Sequence, residues 1–370
     1  MKILIAGLAK LKFMPYMRFY LNNIDVTEND VHILYWNRDL QLENTDYLEG
    51  IELHEFSCYQ EDDVPKLSKI FTFRKYRAFA LRLIKNEKFD FIFILHSLPG
   101  VLLRGCLTKY YSGRFILDYR DMTYETFSPF KKIVGKLVKY SCFTFVSSDA
   151  FRVFLPQSEK NKIITSHNLD IEALSHRGGD SLSRTGSKRI KIVTWGFIRY
   201  EKLNLELIKK VAADFRFELH YYGREQQIAR NLKKYAIDHE IPNVFFHGEY
   251  SPNDRYELVR NTDIIHNIYY GNNAMHAISN KYYDGVVFQT PQLCIKGSFM
   301  SEIAEEHGVG LACDPHDSDF TEKVYQYYMA IDHKEFKEKC DLETERVCSE
   351  YYRGCAIIKE TIKTVAERLP

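Results

Sequence analysis

The segment from Ile278 to Leu293, ISNKYYDGVVFQTPQL, groups a hydroxyl, an amide, an ammonium and a carboxylate within one short turn of chain. Ser279 is suited to cap a helix running through Tyr282, Asp284 and Val286, since its hydroxyl can accept an orphan backbone N–H. Asn280 and Asp284 are four apart and share a helical face, and Lys281 lies at its edge. Lys281 thereby falls in the first turn, where a carboxylate would be favoured over a cation by roughly 0.3–1 kcal/mol. Two arrangements accommodate it: an exposed Lys281–Asp284 pair worth about 0.3–0.5 kcal/mol, or a cation whose counter-charge is a bound anion. A second segment, IKIVTWGFIRYEKLNLELI, repeats the theme. Gly196 supplies a tight turn after a strand, Arg199 and Lys202 bring positive charge, and a helix is expected from about Leu203. Basic side chains and backbone N–H groups that converge on a helix start suit a diphosphate; solvated loop charges are the other reading of the same residues.

In the first half, RFILDYRDMTYE places Asp118, Arg120 and Asp121 at the end of a strand, with Asp121 the candidate for acceptor contact or base work and an ion pair or helix cap the competing reading. His96 closes another strand, FDFIFILH, where a lone histidine is read as structural. Asp317-Ser318-Asp319 precedes FTEKVYQYY and is read as helix capping, so no metal is assigned to it.

The elements that must position these groups follow from periodicity. KILIAGL, VHILYW, FDFIFILH, RFILDYR and CFTFVSS are near-continuous apolar runs alternating with helical patterns, among them a helix around Phe71 to Lys85, which indicates a parallel sheet covered on both faces. IKIVTWG, FELHYYG, NVFFHG, DIIHNIYY, QLCIK and VGLACD restart the pattern, with helices expected at 203–213 and 225–239. The expected fold is α/β, two doubly wound Rossmann-like domains facing a cleft. Residues 1–174 form the first domain, the Gly- and Ser-rich 175–189 a linker, 190–350 the second domain, and 351–370 a final helix packing back across both. Ligands of such sheets bind outside the carboxyl ends of the strands.

Composition supports a globular chain: of 370 residues, 45% are hydrophobic and 27% charged. The eight cysteines include no C-x-x-C pair, so metal spacing is absent and reduced thiols are expected. The opening MKILIAGLAKLK is too short an apolar run for a signal sequence, and Asp90, His96, Pro99 and Gly100 interrupt the most apolar later run, so a cytoplasmic chain is expected. The net charge of +1 conceals a local asymmetry, with twelve acids and one base from Asp25 to Asp63 and sixteen bases against five acids from Val64 to Tyr140. Lys66, Lys69, Arg74, Lys75 and Arg77 interleave with Phe71, Phe73 and Tyr76. Lys131, Lys132, Lys136 and Lys139 accompany Phe130, Ile133 and Leu137. Both sets read either as docking to an anionic membrane surface or as solvated helix faces. No nucleic-acid-reading module is recognisable.

The second half resembles the donor-binding domain of GT-B glycosyltransferases, above all the mostly retaining, family-four-like group that builds bacterial surface polysaccharides. The resemblance rests on Gly196 with Lys202 six residues later, on strands ending at Gly223 and Gly248, on TDIIHNIYY, and on Asp284 placed seven residues before Pro291. The sequence departs from the family in three places: Phe197 stands for an Arg, Asp284 for the second Glu of a paired motif, and His276 for the first. The resemblance implies that Gly196, Arg199, Lys202, Gly223, His276, Ser279, Asn280, Lys281 and Asp284 contact a nucleotide-diphosphate sugar. Asp284 would grip ribose, Lys202 would stabilise the leaving phosphates, and Asp121 would meet the acceptor. It implies transfer with retention, no metal or other cofactor, and a lipid-linked or oligosaccharide acceptor in capsule, O-antigen or exopolysaccharide synthesis at the inner face of the cell membrane. A sugar-nucleotide epimerase of the same fold and a non-catalytic nucleotide-binding subunit are the alternatives.

Overall fold

The computed structural model describes residues 1–61, 66–177, 189–251 and 254–369, with the side chains of 66–68 left out. The first compact unit takes in Met1–His167 and Glu350–Pro370, and the second Asn168–Ser349. These divisions compare with the expected ones at 174 and 350; of the expected linker, 178–188 lie outside the described residues.

In the first unit the chain runs β1 (Lys2–Ala6), α1 (Met17–Leu21), β2 (Asp30–Asn37), β3 (Glu52–Ser57), α2 (Lys66–Glu87), β4 (Phe91–Leu95), α3 (Ser97–Tyr110), β5 (Phe115–Tyr119), α4 (Ser128–Tyr140), β6 (Thr144–Val146) and β7 (Ile163–Thr165). The strands pair in the order β3-β2-β1-β4-β5-β6-β7, and every pairing is parallel. Past Lys2, strands β1, β4 and β5 carry no polar side chain until Asp118, because helices cover both their faces and every other position is buried.

The second unit runs β8 (Ile190–Trp195), α5 (Glu201–Ala212), β9 (Phe217–Tyr222), α6 (Gln227–Asp238), β10 (Val244–Gly248), α7 (Arg255–Arg260), β11 (Ile264–Asn267), α8 (Asn280–Val287), β12 (Gln292–Ile295), α9 (Phe299–Glu306), β13 (Gly310–Cys313) and α10 (Phe320–Met329). Its sheet is again all parallel, in the order β10-β9-β8-β11-β12-β13. The fold is therefore α/β with two doubly wound sheets, as patterning predicts. In both sheets the strand order reverses beside the first strand of the unit, between β1 and β4 and between β8 and β11, which sets a ligand crevice at each reversal.

Two elements differ from the sequence reading. β3 was hidden in ELHEFS, whose alternation is masked by its acids, because an edge strand buries little of its surface. The final helix is α11 (His333–Ala366), 34 residues long rather than starting near Tyr351. Its residues to Ser349 count with the second unit and those from Glu350 with the first. Gly354, within it, brings the helix backbone against Phe19: a Cβ there would stand 2.9 Å from the ring.

The basic helices divide their apolar residues between inward and outward faces. Tyr76 is fully buried and its hydroxyl donates to Gly7 O at 2.8 Å, while Phe130 and Leu137 are buried. Of the apolar residues interleaved with lysines, Tyr76, Phe130 and Leu137 face inward, Phe73 and Ile133 are half-buried, and Phe71 is 68% exposed beside the charges of α2. All eight cysteines are free thiols, with Cys294, Cys313 and Cys340 buried.

Three glycines close adjacent strands of the second sheet. Gly196 N–H donates to Tyr222 O at 2.9 Å and Gly223 N–H to Gly248 O at 2.7 Å. A Cβ on Gly223 would lie 2.0 Å from Gly196 O, a backbone atom that cannot yield without parting β8 from β9. Gly223→Ala is therefore expected to destabilise the protein by about 2–4 kcal/mol, at the upper end of overpacking costs. Urea denaturation followed by circular dichroism measures it.

Candidate functional site at the second strand reversal

Local chemistry places α8 as its sequence suggests. Ser279 is extended and its hydroxyl accepts from Tyr282 N–H at 3.3 Å. The same hydroxyl donates to Asn267 Oδ1 at 2.8 Å, Asn267 Nδ2 donates to Gln292 Oε1 at 2.7 Å, and Gln292 Nε2 returns to Tyr282 O at 3.0 Å. This chain of amides ties the helix start to the ends of β11 and β12. At the far side the Tyr282 hydroxyl donates to the buried Glu343 carboxylate at 2.9 Å, which Arg346 also holds at 2.7 Å. α8 is thus fixed at both its start and its back.

Lys281 is not at the surface. It is only 9% exposed, its ammonium donates to Trp195 O at 3.0 Å, and it lies 4.9 Å from the centre of the Tyr269 ring. Trp195 is the last residue of β8, so the cation sits at the strand end immediately before the Gly196 turn. Among the described residues no carboxylate stands within ion-pair distance of it. The Lys281–Asp284 pair allowed by spacing does not form: the ammonium goes to Trp195 O, and the carboxylate to Trp195 Nε1 and Arg255.

Asp284 is buried and both its oxygens are engaged. Trp195 Nε1 donates to Oδ2 at 3.3 Å, and Arg255 Nε stands 3.6 Å from Oδ1. Arg255 also reaches Asp170, to which the Tyr256 hydroxyl donates at 3.2 Å. Burial raises the Asp284 carboxyl to about 6, with the Arg255 charge, the Trp195 hydrogen bond and the Lys281 charge all opposing the rise. The folded carboxyl thus holds its proton to a higher pH than the unfolded one.

The turn after β8 is supported from beneath. Gly196 has φ +97° and Tyr200 φ +59°, both in the left-handed region. Asn204, buried on α5, donates from Nδ2 to Arg199 O at 2.5 Å and Tyr200 O at 3.3 Å. Its Oδ1 accepts from the Tyr221 hydroxyl at 2.9 Å and from His266 Nε2 at 3.0 Å, while Ile268 N–H donates to His266 Nδ1 at 3.1 Å. These partners fix His266 as the neutral Nε2–H tautomer. Burial and the nearby Lys281 charge push its pKa down to about 3. Above this support, Arg199 and Lys202 are exposed, with the Arg199 guanidinium 5.2 Å from the Phe197 ring centre.

The structure brings Gly196, Arg199, Lys202, Gly223, Ser279, Asn280, Lys281 and Asp284 to the strand ends and helix starts around β8 and β11, with Asn280 exposed at the start of α8. His276 lies on the preceding loop, where its Nδ1 meets Asn272 O at 2.9 Å, and Phe299 N–H anchors the loop through Met275 O at 2.9 Å. Asp121 belongs to the first unit, just past β5. There Asp118 and Arg120 form a buried pair at 2.9 Å, Arg120 stacks 4.9 Å from Tyr16, and the Asp118 and Asp121 charges add to the burial that raises the Tyr16 phenol far above its usual range. Asp319 is the N-cap residue of α10, but its side chain makes no capping hydrogen bond and pairs with Lys323 at 3.0 Å instead.

Trp195, Asn204, Arg255, His266 and Tyr269 were not singled out from the sequence. Their roles depend on partners far along the chain: Trp195 and Asp284 are 89 residues apart.

The raised Asp284 carboxyl carries a sign. Its folded value of about 6 exceeds the ordinary value near ~3.9. Its contribution to stability is therefore greatest below about pH 4 and is lost as pH rises through about 6. Asp284→Asn should flatten the pH dependence of unfolding free energy across that window, by up to about 2–3 kcal/mol in total. Denaturant titrations of both proteins at pH 4, 5, 6 and 7 check it; parallel curves would contradict it.

No protein-family model matches the chain, and no curated protein matches it. Among solved structures, sucrose-phosphate synthase from Thermosynechococcus elongatus is similar over 100% of both chains at 10% identity, with a TM-score of 0.71. Anabaena HepE in complex with UDP and glucose is similar over 100% of both chains at 12% identity and a TM-score of 0.67. UDP-GlcNAc 2-epimerase from Neisseria meningitidis, bound to UDP-GlcNAc, covers 98% of this chain and 100% of its own at 12% identity and 0.60. The likeness, which extends over both units, is one of fold, two Rossmann-like domains of the GT-B class.

Proposed function

We propose that the protein is a glycosyltransferase that moves a sugar from a nucleotide-diphosphate donor to an acceptor hydroxyl. The observation that carries the proposal is the buried ammonium of Lys281, placed at the strand reversal with no carboxylate partner among the described residues. A diphosphate at the Gly196 turn would supply the missing negative charge, and the exposed Arg199 and Lys202 stand on the same loop and helix start. As the nucleotide diphosphate leaves, these preplaced cations would stabilise the charge it develops. Asn280, at the exposed start of α8, would orient the donor, and Asp121 would meet the acceptor. Asp284 would act chiefly by holding Trp195 and Arg255; direct contact with ribose requires one of them to give way.

Retention of configuration, absence of a metal requirement and a lipid-linked glycan acceptor of a surface-polysaccharide pathway complete the proposal. The exposed charges of Arg74, Lys75, Lys131, Lys132 and Lys136 support docking to anionic lipid by electrostatics, with the exposed Phe71 ring beside them, while Tyr76, Phe130 and Leu137 are inside. No described helix is long and apolar enough to cross a membrane. Sedimentation with anionic vesicles is expected at low salt and to vanish at high salt; absent or salt-insensitive binding would contradict it.

An epimerase is the second reading, favoured by the similarity to UDP-GlcNAc 2-epimerase. Incubation with nucleotide sugars distinguishes the two: a transferase needs an acceptor to release nucleotide, whereas an epimerase converts the donor with none. For the donor site itself, a thermal-shift panel of nucleoside diphosphates identifies the tightest ligand. Arg199→Ala and Lys202→Ala should each weaken it about tenfold, as loss of a hydrogen bond to a charged group does. Unchanged affinity in both variants would overturn the phosphate assignment.

A further inference from the structure

The N-terminal end of the first sheet carries a cluster that glycosyl transfer does not use. β2 and β3 pair with His32 opposite Glu52 and Leu34 opposite His54, so two-residue alternation sets Asp30, His32, Glu52 and His54 on one face. His32 is fully buried, its ring edge-on to Phe89 at 5.0 Å and nearly coplanar with that of His54, edge to edge, with centres 5.1 Å apart and 4° between the planes. Nδ1 of His32 lies 2.7 Å from Nε2 of His54. Glu52 places one oxygen 3.6 Å from the first nitrogen and the other 3.5 Å from the second. One ligand atom from each of the three residues lies within 4.8 Å of the others.

The protonation pattern suits a cation. Asp30 Oδ1 stands 3.0 Å from Nε2 of His32, off the line of an ideal hydrogen bond but close enough to draw the ring proton to that nitrogen. The lone pair of Nδ1 is then left facing His54 and Glu52. A carboxylate behind a histidine whose other nitrogen faces inward is the outer partner that metal-bound imidazoles use. The surrounding field is negative. The stretch from Asp25 to Asp63 holds twelve acids and one base, and the nearby Lys2 is already held by Glu87 at 2.6 Å and Asp30 at 3.5 Å.

The geometry points to a site for a zinc-type divalent cation, bound by His32 Nδ1, His54 Nε2 and one oxygen of Glu52, with a water completing a tetrahedron. Without metal, His54 Nε2–H donates to His32 Nδ1. On binding, His54 carries its proton on Nδ1 instead, so both imidazoles stay neutral. Zinc–nitrogen bonds of about 2.0–2.1 Å in a tetrahedron set the two nitrogens roughly 3.3 Å apart with the ion off the line between them, so the rings must part by about half an ångström and swing until both lone pairs face the ion. The His54 side chain is 14% exposed and that of Glu52 59%, which leaves room on the solvent side for that movement and for entry of the ion. Imidazole ligands favour zinc and its transition-metal neighbours over magnesium. The site would fasten β3, the edge strand paired only to β2, to the rest of the sheet.

The test uses the full-length, chelator-treated protein carrying His247→Gln. That background removes a second histidine pair, His220 Nδ1 and His247 Nε2 at 2.9 Å, from the titration. Calorimetry with Zn²⁺ should find one bound equivalent, thermal unfolding should shift upward with Zn²⁺ and not with Mg²⁺, and Co²⁺ should give the visible absorption of a tetrahedral site. His54→Gln and Glu52→Gln should each weaken Zn²⁺ binding about tenfold or more. Glu52, the more exposed of the two, keeps the test valid if the histidine variant fails to fold. Absence of a zinc-dependent shift, or zinc affinity unchanged in the folded variants, would overturn the assignment.

Discussion

The second unit is organised around a hydrogen bond between a buried ammonium and the last carbonyl of a strand. Lys281 donates to Trp195 O, and the indole of Trp195 turns the other way to donate to Asp284 one helical turn further on. One tryptophan thus receives a cation at its backbone and offers a proton to an anion from its ring. The two charges, which on a free helix would pair with each other, are instead each hydrogen-bonded to Trp195. Burying an ammonium without a carboxylate is costly unless hydrogen bonds or a ligand satisfy it. The Trp195 carbonyl and the Tyr269 ring offset part of that cost. On the proposed reading, a bound diphosphate at the Gly196 turn would offset the remainder.

Such an offset depends on the rigidity of the turn. Gly196 and Gly223 allow the ends of β8 and β9 to approach so closely that no side chain fits between them, and Asn204 holds the carbonyls of Arg199 and Tyr200 from below. Neutral His266 belongs to the same arrangement: a second positive charge beside Lys281 would oppose it, and the Asn204 and Ile268 hydrogen bonds exclude that charge. Preorganised donors of this kind do not have to reorient as a leaving group gains charge.

Much of this was legible in the sequence, for identifiable reasons. The strands were readable because buried parallel strands need unbroken apolar runs, and the start of α8 because Ser279 is a capping residue placed just before a helical pattern. What lay beyond reach was pairing at a distance. Nothing local to NKYYDG marks Arg255 as the partner of Asp284, nor Trp195 as the shared partner of Lys281 and Asp284. The basic helices stayed ambiguous for the opposite reason: apolar residues at helical spacing among lysines look the same whether they face outward or toward the core, and here Tyr76, Phe130 and Leu137 face the core while Phe71 faces outward. β3 escaped because its acids and histidine break the apolar run that identifies interior strands.

That last failure and the histidine cluster have one cause. An edge strand has a neighbour on one side only, so its sequence is released from the apolar rule and can carry charge. In the second sheet the outer pair β9 and β10 behaves likewise, with the His220 and His247 ring centres 5.2 Å apart on paired strands and Glu218 3.3 Å from His220. Pairing imidazoles across a parallel pair gives both edges a polar face that is still hydrogen-bonded. The two sheets differ in what surrounds the rings. At β9 and β10 the His220 ring is flanked by Phe245, stacked at 4.8 Å, and His247 by Tyr222 at 4.1 Å, so aromatic packing satisfies the face. At β2 and β3 two carboxylates, Asp30 and Glu52, lie against the rings beside Phe89, where the β9 and β10 pair has Glu218. The same backbone device thus becomes an aromatic stack in one unit and a ligand set in the other, and the acid-rich composition between Asp25 and Asp63 accounts for the difference.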